Sequence, residues 1–234
     1  MEHKSLETVV GCASYFKNAS SRWAACAKSF MRDLARYFDL LADFKPDERA
    51  IDVAHNLLLI GAVLSKKPER ILELGIGTGI VTRSLLAAVR FNGKGHITSV
   101  DNWFDWHGKE PSWVNQLREQ GVTVRVDSEE TFLRKCPADE YDLLISDADH
   151  VNSGRWLAEH LRVTRNDGFL FFHDTKSANW PTLFTIQQRI SHLPHYHFTE
   201  ESRPDERCSR GWLFVINKKK QRGRIRSLFP LPRW

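Results

Sequence analysis

The segment Ile71–Gly79, which reads ILELGIGTG, constrains the fold of this chain more than any other part of it. Its first four residues predict a short buried strand. Gly75, Gly77 and Gly79 then follow at alternate positions, and glycine permits the positive φ angles and close backbone approach that a ligand-binding turn requires. Apolar residues recur on one helical face from Val81 to Val89, which predicts an amphipathic helix directly after the turn. The N–H groups at the start of that helix favour an anionic group such as a carboxylate.

The spacing of the glycines distinguishes between two classes of cofactor site. A dinucleotide fingerprint has the form GxGxxG, and its third glycine packs the helix on the strand. Here the pattern is GxGxG, and Ile80 stands where the dinucleotide pattern needs its third glycine. Glu73, two residues before the first glycine, is also unusual at a dinucleotide site. The spacing therefore disfavours a nicotinamide-dependent oxidoreductase.

The residues around this turn resemble the first motif of the class I S-adenosylmethionine-dependent methyltransferases, which has the form E/D-x-G-x-G-x-G. The match consists of Glu73, Gly75, Gly77 and Gly79. The resemblance implies that these residues help to bind S-adenosylmethionine and that the chain is an S-adenosylmethionine-dependent methyltransferase. It covers about residues 51–217.

Two further predicted strands end in polar residues that suit the same cofactor. The second strand, His96 to Val100, leads into Asp101-Asn102, and an acidic residue at this point of a nucleotide-binding α/β fold accepts hydrogen bonds from ribose hydroxyls. The third strand, Val122 to Val126, leads into Asp127-Ser128, where the resemblance implies a contact with the adenine. Helix N-capping is the alternative role for either aspartate, but successive strands that end in carboxylates favour cofactor binding.

The remaining pattern predicts an α/β fold. Predicted helices alternate with buried strands, which favours a doubly wound, mostly parallel, Rossmann-like sheet. Two closing strands, Tyr196 to Thr199 and Trp212 to Ile216, complete a seven-stranded sheet with a C-terminal antiparallel hairpin. The other expected elements are helices at about Ile51–Leu64, Ser112–Gln120, Ser153–Val163 and Pro181–Ile190, strands at Tyr141–Ser146 and Phe169–Phe172, and a turn at Asn166-Asp167-Gly168.

Acidic and histidine side chains follow the fourth and fifth strands. The fourth strand ends in Ser146-Asp147-Ala148-Asp149-His150, and the fifth ends in His173-Asp174-Thr175. Because ligands of an open α/β sheet bind at the carboxyl ends of its strands, we expect the two clusters to lie side by side. Carboxylate and imidazole groups suit Mg²⁺, Mn²⁺ or a similar divalent cation, which would lower the pKa of an acceptor hydroxyl. Asp149 is expected only to cap the helix that follows.

In this region the chain is similar to the metal-dependent small-molecule O-methyltransferases of the catechol type and of the macrolide-sugar type. The resemblance implies that Asp147 is a metal ligand beside the cofactor, that His150 is the general base, and that Asp174 is a second ligand. The remaining ligand position falls on Thr175 in one alignment and on His173 in the other, and neither is the residue that those families have there. The alternatives are that His150 lies at the surface and that His173 is a buried imidazole whose hydrogen bonds are satisfied within the protein.

The charge distribution bears on the choice of substrate. Seven of the 34 basic residues and no acidic residue lie in 217–234, so the rest of the chain carries 27 basic against 29 acidic residues. We expect an N-terminal helical extension at 1–50, a methyltransferase domain at 51–217 and a basic tail at 218–234. The favoured function is O-methylation of a hydroxyl on a small molecule. A nucleic-acid methyltransferase that uses the tail to bind RNA phosphate, and a non-catalytic cofactor-binding relative, are the alternatives.

Composition gives expectations about location and assembly. The four cysteines are scattered without a CxxC pair, which predicts neither a zinc site nor a disulfide framework. With no apolar run approaching the length of a membrane span and no leader-like start, we expect a soluble, cytoplasmic protein with reduced thiols. An aromatic stripe from Trp23 to Leu41 predicts a helix packed on the domain; a substrate lid or a homodimer surface is the alternative use of that stripe.

Overall fold

The strands of this chain form one seven-stranded sheet in the order β3-β2-β1-β4-β5-β7-β6. The structure, a computed structural model, describes residues 50–104, 108–176, 179–199 and 211–219. The expected helix at Trp23–Leu41 and the tail after Lys219 lie outside the described residues. The order matches the predicted Rossmann-like sheet, so the fold prediction is confirmed.

Helices connect successive strands through most of the described chain. The strands are β1 (Arg70–Leu74), β2 (His96–Asp101), β3 (Thr123–Val126), β4 (Tyr141–Ser146), β5 (Thr164–Phe172), β6 (His195–Thr199) and β7 (Gly211–Ile216). The helices are α1 (Ala50–Lys66), α2 (Ile80–Asn92), α3 (Val114–Glu119), α4 (Glu129–Lys135), α5 (Leu157–Val163), α6 (Pro181–Phe184) and α7 (Ile186–Arg189), with a 3₁₀ turn at Ser153–Trp156 before α5.

The strand order reverses between β1 and β4, and this reversal fixes where a ligand can bind. Strands β1 to β5 run parallel, with Leu74 paired to Val100 on one side and to Ser146 on the other. Strand β7 is antiparallel to both β5 and β6. In an open α/β sheet the crevice at such a switch point, outside the carboxyl ends of the strands, is the usual ligand site.

The core consists of apolar side chains from the central strands and from the helices packed on them. One buried cluster joins β1, β2 and β4 to α4 and α5, and includes Leu72, Leu144 and Leu133. A second joins β5 and β7 to the segment of α6 and α7, and includes Phe172 and Ile186. The central strands are apolar on both faces because helices cover both sides of a parallel sheet.

Several element bounds differ from the sequence-based expectation. Strand β5 begins at Thr164 rather than Phe169, and the predicted turn at Asn166-Asp167-Gly168 is an irregularity within the strand. Asp167 there has a φ of +62°, a left-handed conformation typical of turns. The turn residues therefore mark a local irregularity, but the strand continues through it. The expected helix at Pro181–Ile190 is two four-residue helices. Helix α4 was not predicted; Ser128 caps it by accepting a hydrogen bond from the backbone N–H of Thr131.

The folded region extends past the expected boundary at residue 217. Lys218 forms an ion pair with Asp167, and the backbone N–H of Lys219 donates to the side chain of Asn166 over 2.9 Å. Lys219 also pairs with Asp139. The first two residues of the expected tail therefore contact the described fold. No helix of the described residues is long and apolar enough to cross a membrane.

Candidate active site

The glycine turn lies between β1 and α2, and each of its glycines has a positive φ: +90° at Gly75, +52° at Gly77 and +77° at Gly79. A Cβ on Gly75 would overlap the backbone carbonyl of Asp147, and one on Gly79 would lie 2.7 Å from the Trp113 ring. At Gly77 no heavy atom lies within 4 Å of that position. Gly75 and Gly79 therefore permit close packing of the protein on itself, whereas Gly77 leaves open space that a ligand can approach.

Asp101 ties the end of β2 to the glycine turn. One carboxylate oxygen, Oδ2, accepts hydrogen bonds from the backbone N–H groups of Ile76 at 2.7 Å and Gly77 at 3.0 Å. The other, Oδ1, accepts from the N–H of Trp103 at 2.6 Å. A carboxylate has about four acceptor positions, so Asp101 can hold the turn and still accept a hydrogen bond from a ribose hydroxyl.

Glu73 lies beneath the turn rather than in the open space above it. Its side chain is fully buried and accepts hydrogen bonds from Thr82 Oγ1 at 2.8 Å and Ser99 Oγ at 2.5 Å. Burial raises the pKa of Glu73 to about 8, against the opposing effect of the hydrogen bonds from Ser99 and Thr82. Both oxygens accept hydrogen bonds inside the domain, so Glu73 joins β1 to α2 and β2.

The residues predicted to contact the nucleoside also carry local hydrogen bonds. Asn102 accepts from the backbone N–H of Phe104 at 3.0 Å. Asp127 accepts from the N–H of Ser128 at 2.9 Å and pairs with Lys135 at 3.4 Å. The helix cap is Ser128, so the capping role considered for Asp127 belongs to its neighbour. The adenine and ribose contacts of these residues stay predictions.

Two aspartates and two histidines meet at the carboxyl ends of β4 and β5. The ligating atoms of Asp147, His150, His173 and Asp174 all lie within 4.8 Å of one another. His150 Nε2 lies 2.8 Å from Asp174 Oδ2 and 3.4 Å from Asp147 Oδ1. His173 Nδ1 lies 2.9 Å from Asp147 Oδ1. The cluster forms because β4 pairs with β5 in parallel, with Ser146 opposite Phe172.

The geometry separates the two alignments left open by the sequence. His173 lies in the cluster, whereas the Thr175 hydroxyl lies 2.9 Å from Nε2 of His197. His197 Nδ1 in turn lies 3.0 Å from Gln187 Oε1. The His197 side chain is half-buried under these contacts.

Charge pairing sets the protonation of the cluster. Burial would lower the pKa of His150, but the hydrogen bonds and negative charges of Asp147 and Asp174 outweigh it and raise that pKa to about 10. Burial would likewise raise the pKa of each aspartate, yet the neighbouring histidines lower both. In this arrangement His150 carries a proton at neutral pH and is not a free base.

The donor set fits a divalent cation. Two imidazole nitrogens and two carboxylates with lowered pKa values offer ligands of the type that Mn²⁺ and Fe²⁺ accept, and imidazole is a less usual ligand for Mg²⁺. Asp174 has a φ of +55°, a left-handed conformation that aspartate tolerates and that aims its side chain back at the loop after β4. The arrangement thus satisfies the chemistry expected of a cation site.

Two neighbours complete the surroundings of the cluster. Asp149 accepts hydrogen bonds from the N–H groups of Val151 and Asn152, each at 3.0 Å, so it closes the turn before the 3₁₀ helix rather than capping that helix, whose N-cap is Asn152. The Trp180 ring lies 5.3 Å from the His150 ring, centroid to centroid. Sequence reasoning missed Trp180. The Trp-Pro pair that opens α6 was its only local signal.

Comparison with known proteins shows a domain and a fold that this chain shares with methyltransferases. Residues 72–175 match the family model described as a methyltransferase domain. No curated protein matches the chain. Among solved structures, an O-methyltransferase from Bacillus cereus in complex with S-adenosylhomocysteine is similar at 14% identity and a TM-score of 0.56, over 78% of this chain and 90% of that one.

Two further solved structures share the fold. The O-methyltransferase TomG of Streptomyces achromogenes, involved in tomaymycin synthesis and solved with S-adenosylmethionine, has 14% identity and a TM-score of 0.56, over 76% of this chain and 86% of that one. The methyltransferase PaMTH1 of Podospora anserina, solved with S-adenosylhomocysteine, has 15% identity and a TM-score of 0.53, over 94% and 98%. The resemblance inferred from the glycine motif is confirmed. Residues 72–175 match a methyltransferase domain, and the described chain shares its fold with these solved methyltransferases.

Proposed function

We propose that this chain transfers the methyl group of S-adenosylmethionine to a hydroxyl of a small molecule, with the help of a divalent cation. One observation carries the proposal: the Asp147, His150, His173 and Asp174 cluster lies directly beside the glycine turn. The two are in backbone contact, because Gly75 packs on the carbonyl of Asp147. A methyl donor at the turn and a hydroxyl at the cluster would then be neighbours, and alignment of the two carries much of the rate of such a transfer.

The cofactor is proposed to bind along the edge of the sheet from the glycine turn to β3. Gly77 leaves room for it, Asp101 offers a remaining acceptor position for the ribose, and Asp127-Ser128 stand where the adenine is expected. Solved structures of the same fold contain S-adenosylmethionine or S-adenosylhomocysteine, which supports this assignment.

The cation is proposed to bind Asp147, His173 and Asp174, where it would lower the pKa of an acceptor hydroxyl. His150 is proposed to act as the general base, as the sequence predicts, on condition that the cation is bound. Its pKa of about 10 comes from the charges and hydrogen bonds of Asp147 and Asp174. When those carboxylates neutralise a cation instead, their hold on the proton of His150 weakens, and the imidazole can accept one from the acceptor.

The proposal is tested by cofactor binding and by cation-dependent transfer. Calorimetry should show that S-adenosylhomocysteine binds and that NAD does not. Transfer of a radiolabelled methyl group from S-adenosylmethionine to a panel of phenols, sugars and other small hydroxyl compounds should require Mn²⁺ or Mg²⁺ and stop in EDTA. Tight NAD binding without S-adenosylhomocysteine binding would contradict the cofactor assignment, and full activity in EDTA would contradict the cation.

A further inference from the structure

A buried polar network lies beneath the loop that follows β4. Its centre is Glu129, the first residue of α4, whose Oε1 lies 2.7 Å from Ser153 Oγ, 3.1 Å from Ser146 Oγ and 2.7 Å from His160 Nε2. The two serine hydroxyls are also 2.6 Å apart. All four residues are at most 5% exposed. The network therefore lies wholly within the domain and contacts no solvent-facing part of the site.

The position of the two serines gives the network its significance. Ser146 directly precedes Asp147, and Ser153 follows His150 by three residues, so the serines bracket the loop that carries both. Glu129 binds both ends of that loop at a single oxygen atom. A loop whose two ends are fixed at one point has few conformations, which holds its side chains in place.

The rest of the loop is bonded both to itself and to neighbouring elements. Asp149 accepts from the N–H groups of Val151 and Asn152, and its carbonyl accepts from the N–H of Ser153 at 2.7 Å. Outside this turn, the N–H of Asp147 donates to the Leu74 carbonyl and Thr182 Oγ1 donates to the Val151 carbonyl, each at 2.8 Å. The buried bonds to Glu129 add side-chain contacts that join both ends of the loop to α4 and, through His160, to α5.

A buried carboxylate and imidazole are costly in a core, since both must be desolvated. His160 packs edge-on against Phe172, with ring centroids 5.2 Å apart, and both Glu129 and His160 are buried. A pair of leucines would fill the same space without that cost. The polar pair therefore points to a requirement for hydrogen bonds at this place rather than for packing alone.

We propose that Glu129 is a positioning residue of the transfer site: it holds the loop from Ser146 to Ser153 so that Asp147 and His150 face His173 and Asp174. The inference rests on the proposed function, because it concerns the cation that the cluster is proposed to bind. The hydrogen bonds of Glu129 run to Ser146, Ser153 and His160, so it acts on the cluster through the two serines.

Because Glu129 accepts its three hydrogen bonds through Oε1 alone, two substitutions at this position can be compared. Oε2 of Glu129 is buried and has no hydrogen-bond partner among the described residues. In Glu129→Gln the amide oxygen can replace Oε1 and keep the three bonds. In Glu129→Leu the size is similar but no acceptor remains. Thr98→Val is the control for loss of a buried hydroxyl elsewhere, because Thr98 hydrogen bonds with Tyr141, away from the loop.

The experiment measures Mn²⁺ affinity and S-adenosylhomocysteine affinity separately on the full chain. Free Mn²⁺ is followed by electron paramagnetic resonance in the presence of S-adenosylhomocysteine, whose own affinity is measured by calorimetry. Glu129→Leu should bind Mn²⁺ at least about tenfold more weakly, the scale of effect known for residues that orient metal ligands. Its S-adenosylhomocysteine affinity should stay unchanged, because the glycine turn keeps its own contacts. Glu129→Gln and Thr98→Val should bind both as the wild type does.

Each outcome decides the inference. Unchanged Mn²⁺ affinity in a folded Glu129→Leu overturns it, and so does an equal loss in Glu129→Gln and Glu129→Leu. If Glu129→Leu does not fold, Ser153→Ala decides: weaker Mn²⁺ binding supports the inference and wild-type binding overturns it. A wild-type protein that binds S-adenosylhomocysteine but no Mn²⁺ overturns the inference together with the cation part of the proposed function. Normal Mn²⁺ binding by wild type and variants alike overturns the inference alone.

Discussion

His150 Nε2 lies 2.8 Å from Asp174 Oδ2, so an imidazole from the loop after β4 is hydrogen-bonded to a carboxylate that follows β5. Both side chains are largely removed from solvent, at 26% and 11% exposure. Without a cation, the proton on His150 supplies the positive charge that balances the carboxylates. A divalent cation and that proton would therefore compete for the same negative charge.

The first prediction follows from this competition. Because the pKa of His150 is raised from 6.5 to about 10, Mn²⁺ binding near pH 8 should release a proton. Calorimetric titration in two buffers with different ionisation enthalpies measures that release. In His150→Gln the release should be smaller. A wild-type titration whose heat is the same in both buffers would contradict the prediction.

The same pKa predicts how stability depends on pH. Pairing with Asp147 and Asp174 stabilises the folded state fully below pH 6.5, and this contribution is lost as the pH rises through about 10. The free energy of unfolding of His150→Gln should therefore fall furthest below that of the wild type near pH 6, and the two should converge towards pH 10. Denaturant unfolding across that range checks this, with the exposed His192→Gln as the control.

Asp174→Asn should separate cation binding from cofactor binding. Asn also tolerates the left-handed backbone that Asp174 adopts at φ +55°, so the variant removes the charge without straining the chain. We expect Mn²⁺ affinity to fall more than roughly tenfold, with methyl transfer lost and S-adenosylhomocysteine affinity retained. Parallel calorimetric titrations measure the two affinities. A matched loss of both would show that the two sites are not separable.

Gly75→Ala and Gly77→Ala should have different effects, the first mainly on stability and the second mainly on S-adenosylhomocysteine binding. A methyl group on Gly75 would overlap the backbone of Asp147, so this variant should lower the melting temperature and disturb the cation cluster as well. On Gly77 the methyl group meets open space, so the main structural cost is the positive φ, about 1–2 kcal/mol. Gly77→Ala should stay folded but bind S-adenosylhomocysteine weakly. Thermal unfolding and calorimetry distinguish the two results.

Truncation tests where the domain ends. A chain that stops after Lys219 should keep wild-type S-adenosylhomocysteine affinity and thermal stability. A chain that stops after Asn217 also loses the pairs of Lys218 with Asp167 and of Lys219 with Asp139, which should cost only about 0–1 kcal/mol because surface ion pairs are weak. Loss of activity on an RNA substrate in either truncation would favour the nucleic-acid alternative.

The sequence predicted best what depends on local pattern. The bounds of β4, Tyr141–Ser146, are as expected, because the apolar run has a charged turn before it and a polar loop after it, and these set both ends of the strand. The meeting of Asp147 with Asp174 also followed from the fold, because parallel neighbouring strands bring their carboxyl ends together. The strand order therefore places the two motifs, which are separate in the sequence, side by side in one cluster.

Local pattern could not predict which side chains would pair across the domain. The bond between Thr175 and His197 joins the loop after β5 to β6, and nothing near either residue in the sequence indicates it. Glu129 appears in the sequence as an ordinary acidic residue, and its place at a helix start, where such residues are favoured anyway, became clear only from the structure. Its burial depends on where α4 packs, which is a property of the whole fold.

The contact between Gly75 and Asp147 has a consequence for redesign. Replacing the 147–152 loop is the obvious way to change which hydroxyl compound the protein accepts, since loops of this fold carry specificity. Yet a graft that shifts the backbone at Asp147 would push directly against Gly75, and so against the turn proposed to hold the methyl donor. New loops should therefore be chosen to leave the Asp147 carbonyl in place, or be selected in libraries that vary residues 75–79 at the same time.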